Sequence, residues 1–429
     1  MFGEPWGRFR NEERSVPRQR IRIQRTVILR GRRVVLLALL AALLPACARV
    51  IAWPSVEPDQ DFLQRHIASM ESKPFDGVVI QAVVPGVHEG VRLFTWSTLR
   101  HRYTLGEFRP VIETLRRVPF RRFRHNFLRI NVNPADQPFD MFDEDRWGVL
   151  TSNFSLAAAA AREAGLRGLM VDPEAYAEAR PGSDTPRFNV FDFRLRQTTN
   201  EFAAYQKMAL RRGQQVGQAV TAAYPGITVM LAFGPGATCL EGGALPERTY
   251  SLLAAFVDGL LAGAAGQATV IEGFELAYSY RSCDRFQEAY ASLQGPCRDL
   301  SLDPARYAQW LEIGFGLWLD YDSLTTCQDP QVAGCPCRWF DPALYKPERR
   351  YLVDPDQFGK AIAFARAVSD GYVWIYTTQP KWWSEEHPLG ENLPDSYVRA
   401  LEKGRDAVDL SCPRPGQSPP AQAIPKSNR

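Results

Sequence analysis

Histidine is scarce in this chain: five in 429 residues, at His66, His88, His101, His125 and His387, scattered rather than clustered. With no H-E-x-x-H run and no His and Asp cluster, metal-dependent hydrolysis or deacetylation has no sequence support. There is no G-x-S-x-G elbow for a serine nucleophile. G-x-G-x-x-G and G-x-x-x-x-G-K are also absent, so nothing announces a nucleotide; the nearest approach, Phe233-Gly234-Pro235-Gly236, follows a strand but opens no convincing helix. Charge of one sign is lacking too. The formal net charge is +3, and residues 8 to 33 alone hold ten arginines, so the remainder is slightly acidic and no nucleic-acid partner is expected. No period of 20 to 50 residues repeats, which excludes a solenoid. After the first 50 residues no segment is apolar enough for a membrane helix.

What is present begins with a leader. The arginine-rich stretch is followed by Val34 to Leu44, an apolar run of signal length and too short to span a bilayer. Residues 1–47 are therefore expected to be an export signal. Its end, Leu44-Pro45-Ala46-Cys47, resembles the lipobox of bacterial lipoproteins, although proline before the small residue departs from that pattern. The resemblance implies lipidation at Cys47 and membrane contact only through that anchor. The alternative is cleavage at the small-x-small site Ala46-Cys47-Ala48, releasing a soluble protein. Either way the protein is expected in the periplasm or cell envelope. In an oxidising compartment Cys239, Cys283, Cys297, Cys327, Cys335, Cys337 and Cys412 should mostly form disulfides, with at least one left over. The group Cys327, Cys335 and Cys337 lacks Cys-x-x-Cys spacing, so neither a metal nor a cofactor is expected.

The composition, 45% apolar and 11% aromatic, is that of a globular chain with a large core. Short apolar runs at 77–84, 127–132, 166–171, 227–233, 269–274 and 372–376 alternate with helical patterns at 156–164, 202–224, 250–262, 304–319 and 358–368. Strand then helix, repeated, means parallel pairing. Six clear units fall short of eight, and the missing strands are sought at 93–96 and within 313–319. The expected fold is an α/β chain closed as a (β/α)8 TIM-type barrel. Its expected division is an export signal to residue 47, a linker at 48–69, the barrel over 70–410 and a disordered, proline-rich tail over 411–429.

Chemistry is suggested by acids where strands run out. Asp172-Pro173-Glu174 follows the run 166–171, and Glu272-Gly273-Phe274-Glu275 ends another run about 100 residues later. Side chains two apart on a strand point to one side, so Asp172 and Glu174 are neighbours and one carboxyl is kept protonated by the other's charge. Two carboxyls from separate strand ends suit glycosidic bond cleavage, with Glu174 as acid, Glu275 as nucleophile or base and Asp172 in support. The plain structural readings are Asp172 as a helix cap, Glu174 at a helix start and Glu275 paired with Arg281. Glu272 is the alternative to Glu275. Trp147 to Asn153, Ala157 to Ala161, Gly165 to Gly168, Val171 to Tyr176, Asp258-Gly259-Leu260, Glu272 to Tyr280 and Val373 to Tyr376 together resemble bacterial glycoside-hydrolase-like barrels over about residues 70 to 405. That resemblance implies glycan chemistry without a named substrate.

Flat apolar faces that would lie against sugar rings are expected from Trp96, Tyr176, Tyr278, Tyr280, Trp374, Tyr376, Trp382 and Trp383. Asn131 and Asn133 are candidate ligands for sugar hydroxyls. The resulting expectation is an exported glycoside hydrolase acting on a carbohydrate, with a noncatalytic glycan-binding envelope lipoprotein as the rival.

Overall fold

Nine short segments of extended chain, all paired in parallel, form the sheet: β1 (Arg49–Pro54), β2 (Gly77–Ile80), β3 (Phe127–Asn133), β4 (Gly168–Ala175), β5 (Thr228–Leu231), β6 (Thr269–Glu272), β7 (Leu311–Ile313), β8 (Phe315–Trp318) and β9 (Tyr372–Thr377). Nearly every residue in them is buried. Burial on both faces explains why the runs read as continuously apolar rather than alternating. The order is β7-β6-β5-β4-β3-β2-β1-β9-β8. Only Gly314 separates β7, which pairs with β6, from β8, which pairs with β9. They continue one another at the two ends of that order, so the nine strands make a nearly closed parallel barrel, consistent with the expected TIM-type fold.

This is a computed structural model, and it describes residues 48–133, 139–175, 189–321, 353–378, 381–383, 393–407 and 412–416. All belong to the unit Cys47–Arg429. The leader to Cys47, Tyr176, the group Cys327, Cys335 and Cys337, and most of the tail lie outside them.

Helices return the chain between strands: α1 (Gln60–Met70), α2 (Leu105–Arg117), α3 (Glu144–Glu163), α4 (Phe202–Ala223), α5 (Pro235–Cys239), α6 (Leu253–Ala264), α7 (Cys283–Ser292), α8 (Pro304–Trp310), α9 (Pro355–Val368) and α10 (Asp395–Asp406). Local chemistry starts several of them. Asp59, Asp143, Asp303 and Asp354 each accept a backbone N–H of the first turn, and Thr104 and Glu107 form a reciprocal capping box. Among the described residues no helix is long and apolar enough to cross a membrane.

Four expectations need correcting. Residues 412–416, placed in the disordered tail, are held to the barrel: Cys412 is buried and bonded to Cys283, Pro413 O accepts from Gln287 and Arg414 pairs with Asp370. Residues 48–69 are not a linker, since they hold β1, paired along its whole length with β9, and most of α1. Residues 93–96 are not a strand: Phe94–Trp96 is a 3-10 turn touched by one antiparallel bridge, Val83 to Leu93. The helical pattern at 304–319 is a short helix that gives way to β7 and β8. Two disulfides, Cys239–Cys297 and Cys283–Cys412, bear out the expectation that these cysteines pair.

Candidate active site

Register decides which acids face the barrel interior. Asn131 pairs with Asp172, Arg129 with Met170, Met170 with Met230, and Met230 with Ile271. Parallel partners share a face, so these side chains point one way. That way is inward, because Arg129 on β3 reaches Trp53 on β1 across the intervening β2. Glu272 pairs with Leu231 and therefore faces the helical layer.

At the carboxyl end of β3 and β4, the Arg129 guanidinium lies between two tryptophans, 5.0 Å from the Trp53 ring centre and 5.1 Å from that of Trp96. It donates to Glu57 and, at 2.6 Å, to Asp172 Oδ2. Nε donates to Asn131 Oδ1 at 3.0 Å. Arg129, Glu57 and Asp172 are all buried. An arginine between aromatic faces and two carboxylates compensates charges that would be prohibitive singly. Asp172 also accepts the Glu174 N–H at 2.9 Å, which orients the strand end. It is thus neither a helix cap nor the first choice as a working acid.

Glu174, half-buried beyond the irregularity that shifts the β3–β4 register, and Glu275, half-buried in the 3-10 turn Glu275–Ala277 after β6, lie close enough for the Glu174 charge to act on Glu275. Burial, followed by the charges of Glu174 and Asp172, raises the Glu275 pKa well above the ordinary 4.5. The Tyr278 hydroxyl donates to Glu275 Oε2 at 3.1 Å. Burial and the same acids raise the Tyr278 pKa, and burial pushes Tyr376 to about 12. Both phenols are therefore protonated donors at neutral pH. Tyr250, unnoticed in the sequence, completes the group: its hydroxyl bonds the Ala175 backbone, and burial and Glu174 raise its pKa.

Aromatic side chains line one wall. Tyr278 lies 5.5 Å from Trp374, 6.3 Å from Tyr376 in a stacked pose and 5.1 Å from Trp318. Trp374 is fully buried beneath them, its Nε1 donating to Gly273 O at 2.8 Å. A Cβ on Gly316 would fall 2.4 Å from the Trp374 ring, so glycine there makes room for the indole. Tyr278, Tyr376, Trp318 and Trp96 remain half-exposed and can meet a ligand.

Other candidates go elsewhere. Asn133 donates to Pro173 O at 2.7 Å and accepts from Val190 N at 3.0 Å, so its side chain ties loops and is not a free sugar ligand. Asn131 is buried with its Nδ2 lacking a hydrogen-bond partner. Tyr280 packs against Phe274 and Phe286 and takes no part in the wall. Trp382 and Trp383 are buried against Phe75, with Trp383 also against Phe123; these residues lead into β2 and β3, at the opposite barrel end. Exposure was expected there because of the charged, proline-bounded loop. Glu272 is fully buried and accepts three backbone N–H groups, from Gly234 at 2.8 Å, Gly236 at 3.1 Å and Phe274 at 3.2 Å. Of the two β6 acids, Glu275 is the one in the site. Among the described residues no group of three or more His, Cys, Asp or Glu side chains is arranged to hold a metal ion.

No family model matches the chain, and no curated protein matches it in sequence. Among solved structures it is similar to a 3-keto-D-glucoside 4-epimerase from E. coli in its apo form, with 13% identity, 84% of this chain and 100% of that chain covered, and a TM-score of 0.41. It is likewise similar to a candidate sugar phosphate isomerase/epimerase from Anabaena variabilis, with 12% identity, 83% and 96% coverage, and a TM-score of 0.42. The expectation of a glycoside hydrolase is not retained: both structures are named for sugar epimerisation or isomerisation, which is a statement about those proteins. The physical reason for the error is that a carboxyl pair equips a site for proton transfer at carbon as well as for acetal cleavage.

Proposed function

We propose that this barrel is an acid–base enzyme that isomerises or epimerises a carbohydrate by moving a proton at the carbon beside a carbonyl group. One observation carries the reading: Glu275, its pKa raised by burial and by the charge of Glu174, accepts the Tyr278 hydroxyl beside that second carboxyl on another strand end. Groups with opposed protonation demands are what proton transfer at neutral pH requires. The half-exposed wall of Tyr278, Tyr376 and Trp318 supports a sugar ring as substrate.

In this mechanism the Glu174 carboxylate removes the proton from carbon while the Glu275 acid delivers its proton to the carbonyl oxygen. The product of that step is a neutral enediol. Glu275 then takes a proton back from a hydroxyl and Glu174 returns its own to carbon, at the neighbouring atom for isomerisation or from altered geometry for epimerisation. Protons and electrons balance without an external oxidant or reductant. Arg129 holds Asp172 and keeps the layer beneath the acids charge-compensated.

The test is proton NMR of aldoses, ketoses and keto-sugars incubated with the protein in deuterium oxide. Deuterium should enter at the carbon beside the carbonyl, and Glu174→Gln should abolish that entry. Absence of exchange across the panel, with unmodified protein that still binds the sugars, overturns the reading. We further propose export through the leader 1–47, with lipidation at Cys47, a reading that the two disulfides support. Cys47→Ala should release the protein from membranes, and radiolabelled palmitate should fail to enter it.

A further inference from the structure

The segment from Glu272 to Glu275 crosses a conformation that side chains avoid. Among the described residues only Ala265 and Phe274 combine a side chain with positive φ, and Ala265 merely ends a helix. Phe274, at φ 38° and ψ 66°, stands directly before the working acid. A non-glycine residue in this left-handed region is held there by its surroundings or it relaxes.

Every neighbour of that turn is tied. Gly273 N donates to Leu231 O at 2.9 Å, Glu275 N to Ala232 O at 3.1 Å, and Gly316 N to Phe274 O at 3.3 Å. The remaining Phe274 N–H goes to Glu272 Oε1, which also accepts from Gly234, while Oε2 accepts from Gly236. One buried carboxyl thus joins the loop after β5 to the strained residue after β6. The proposed proton transfer gives Glu272 no part, since it faces away from the barrel interior.

We infer that Glu272 is a positioning residue, whose carboxyl fixes the left-handed turn at Phe274 and thereby directs the Glu275 side chain toward Glu174. The inference rests on the proposed proton-transfer function for its purpose, but its geometry can be measured separately. Freed from Glu272, Phe274 relaxes toward ordinary backbone angles, and Glu275 swings toward water and away from the acids on β4.

The experiment is a carboxyl-carbon NMR titration of the whole protein labelled at glutamate, the Glu275 signal being identified by its loss in Glu275→Gln. Glu272→Gln and Glu272→Asp should lower the Glu275 midpoint by about one unit or more and reduce kcat for deuterium exchange about tenfold or more, with KM within about threefold. Gly234→Ala is a gentler second variant, since its Cβ would fall 2.8 Å from Glu272 Oε2 and displace the carboxyl without removing it. It should shift the midpoint in the same direction, and it decides the question if the Glu272 variants do not fold. An unchanged Glu275 midpoint in folded variants overturns the inference even where exchange activity is present. Should the unmodified protein show no exchange, the proposed function fails while the titration still decides the role of Glu272.

Discussion

Two strand ends of this barrel carry acids at nearly the same density, and they solve the same electrostatic problem differently. After β4, Asp172 and Glu174 sit two apart on extended chain, and the inner acid is compensated by a full charge, Arg129, itself clasped by Glu57 and two tryptophans. After β6, Glu272 and Glu275 sit three apart across a left-handed turn, and the inner acid meets only neutral backbone N–H groups. Ion pairing leaves Asp172 available as a charge that raises the Glu275 pKa. Amides alone do not offset the burial of Glu272, whose pKa rises to about 7. In each case the inner acid builds, and the outer acid is the one proposed to move a proton.

The largest way to break this comparison is at the outer acids. Glu174→Gln should lower the rate of deuterium exchange by about 10²- to 10⁴-fold, the usual contribution of a positioned acid or base. Next comes the ion-paired inner layer. Arg129→Met takes from the buried Glu57 and Asp172 carboxylates the guanidinium that both accept from, and should cost about 3–5 kcal/mol in urea unfolding.

The amide-held acid makes a prediction of opposite character, in pH rather than in contacts. The folded-state pKa of Glu272, about 7, lies above the ordinary 4.5, so across that window the folded protein keeps a proton that the unfolded chain has released. Its stabilising contribution is complete below about pH 4.5 and is lost as pH rises to about 7, a fall of about 3 kcal/mol. Unfolding free energies of Glu272→Gln should lack that fall, measured as the difference from the unmodified protein to cancel other acids. Last and smallest, Tyr278→Phe removes the hydroxyl that holds Glu275 ionised more readily. The Glu275 midpoint should then rise by about one unit or less in a carboxyl titration, and a downward shift would reverse the role assigned to that hydrogen bond.

Periodicity and strand-end chemistry made much of this legible. The runs at 127–132, 166–171, 227–233, 269–274 and 372–376 each overlap a barrel strand, because a parallel sheet covered on both faces must be largely apolar. β1 is not legible because residues 48–69 follow a leader and read as its linker, and Trp53 and Glu57 are hidden with it. Arg129 left a signal: a lone arginine inside the run Phe127 to Val132 had to be buried and therefore paired. Asn133 and Trp382 misled because polarity near a strand end and aromatics in a charged loop describe accessible groups and buried ones alike.

By itself the sequence determined the alternation of strand and helix, the parallel pairing, and the placing of Asp172, Glu174 and Glu275 where strands end. These follow from local rules, period and breakers acting over a few residues. Only the tertiary structure decided that β7 and β8 continue one another at the two ends of a nearly closed barrel, that Glu272 turns outward to amides while Glu275 lies near Glu174, and that Arg129 neutralises the layer beneath. Those outcomes depend on register between segments some 50 to 250 residues apart, such as β5 with β6 and β1 with β9, and on which partner compensates each buried charge.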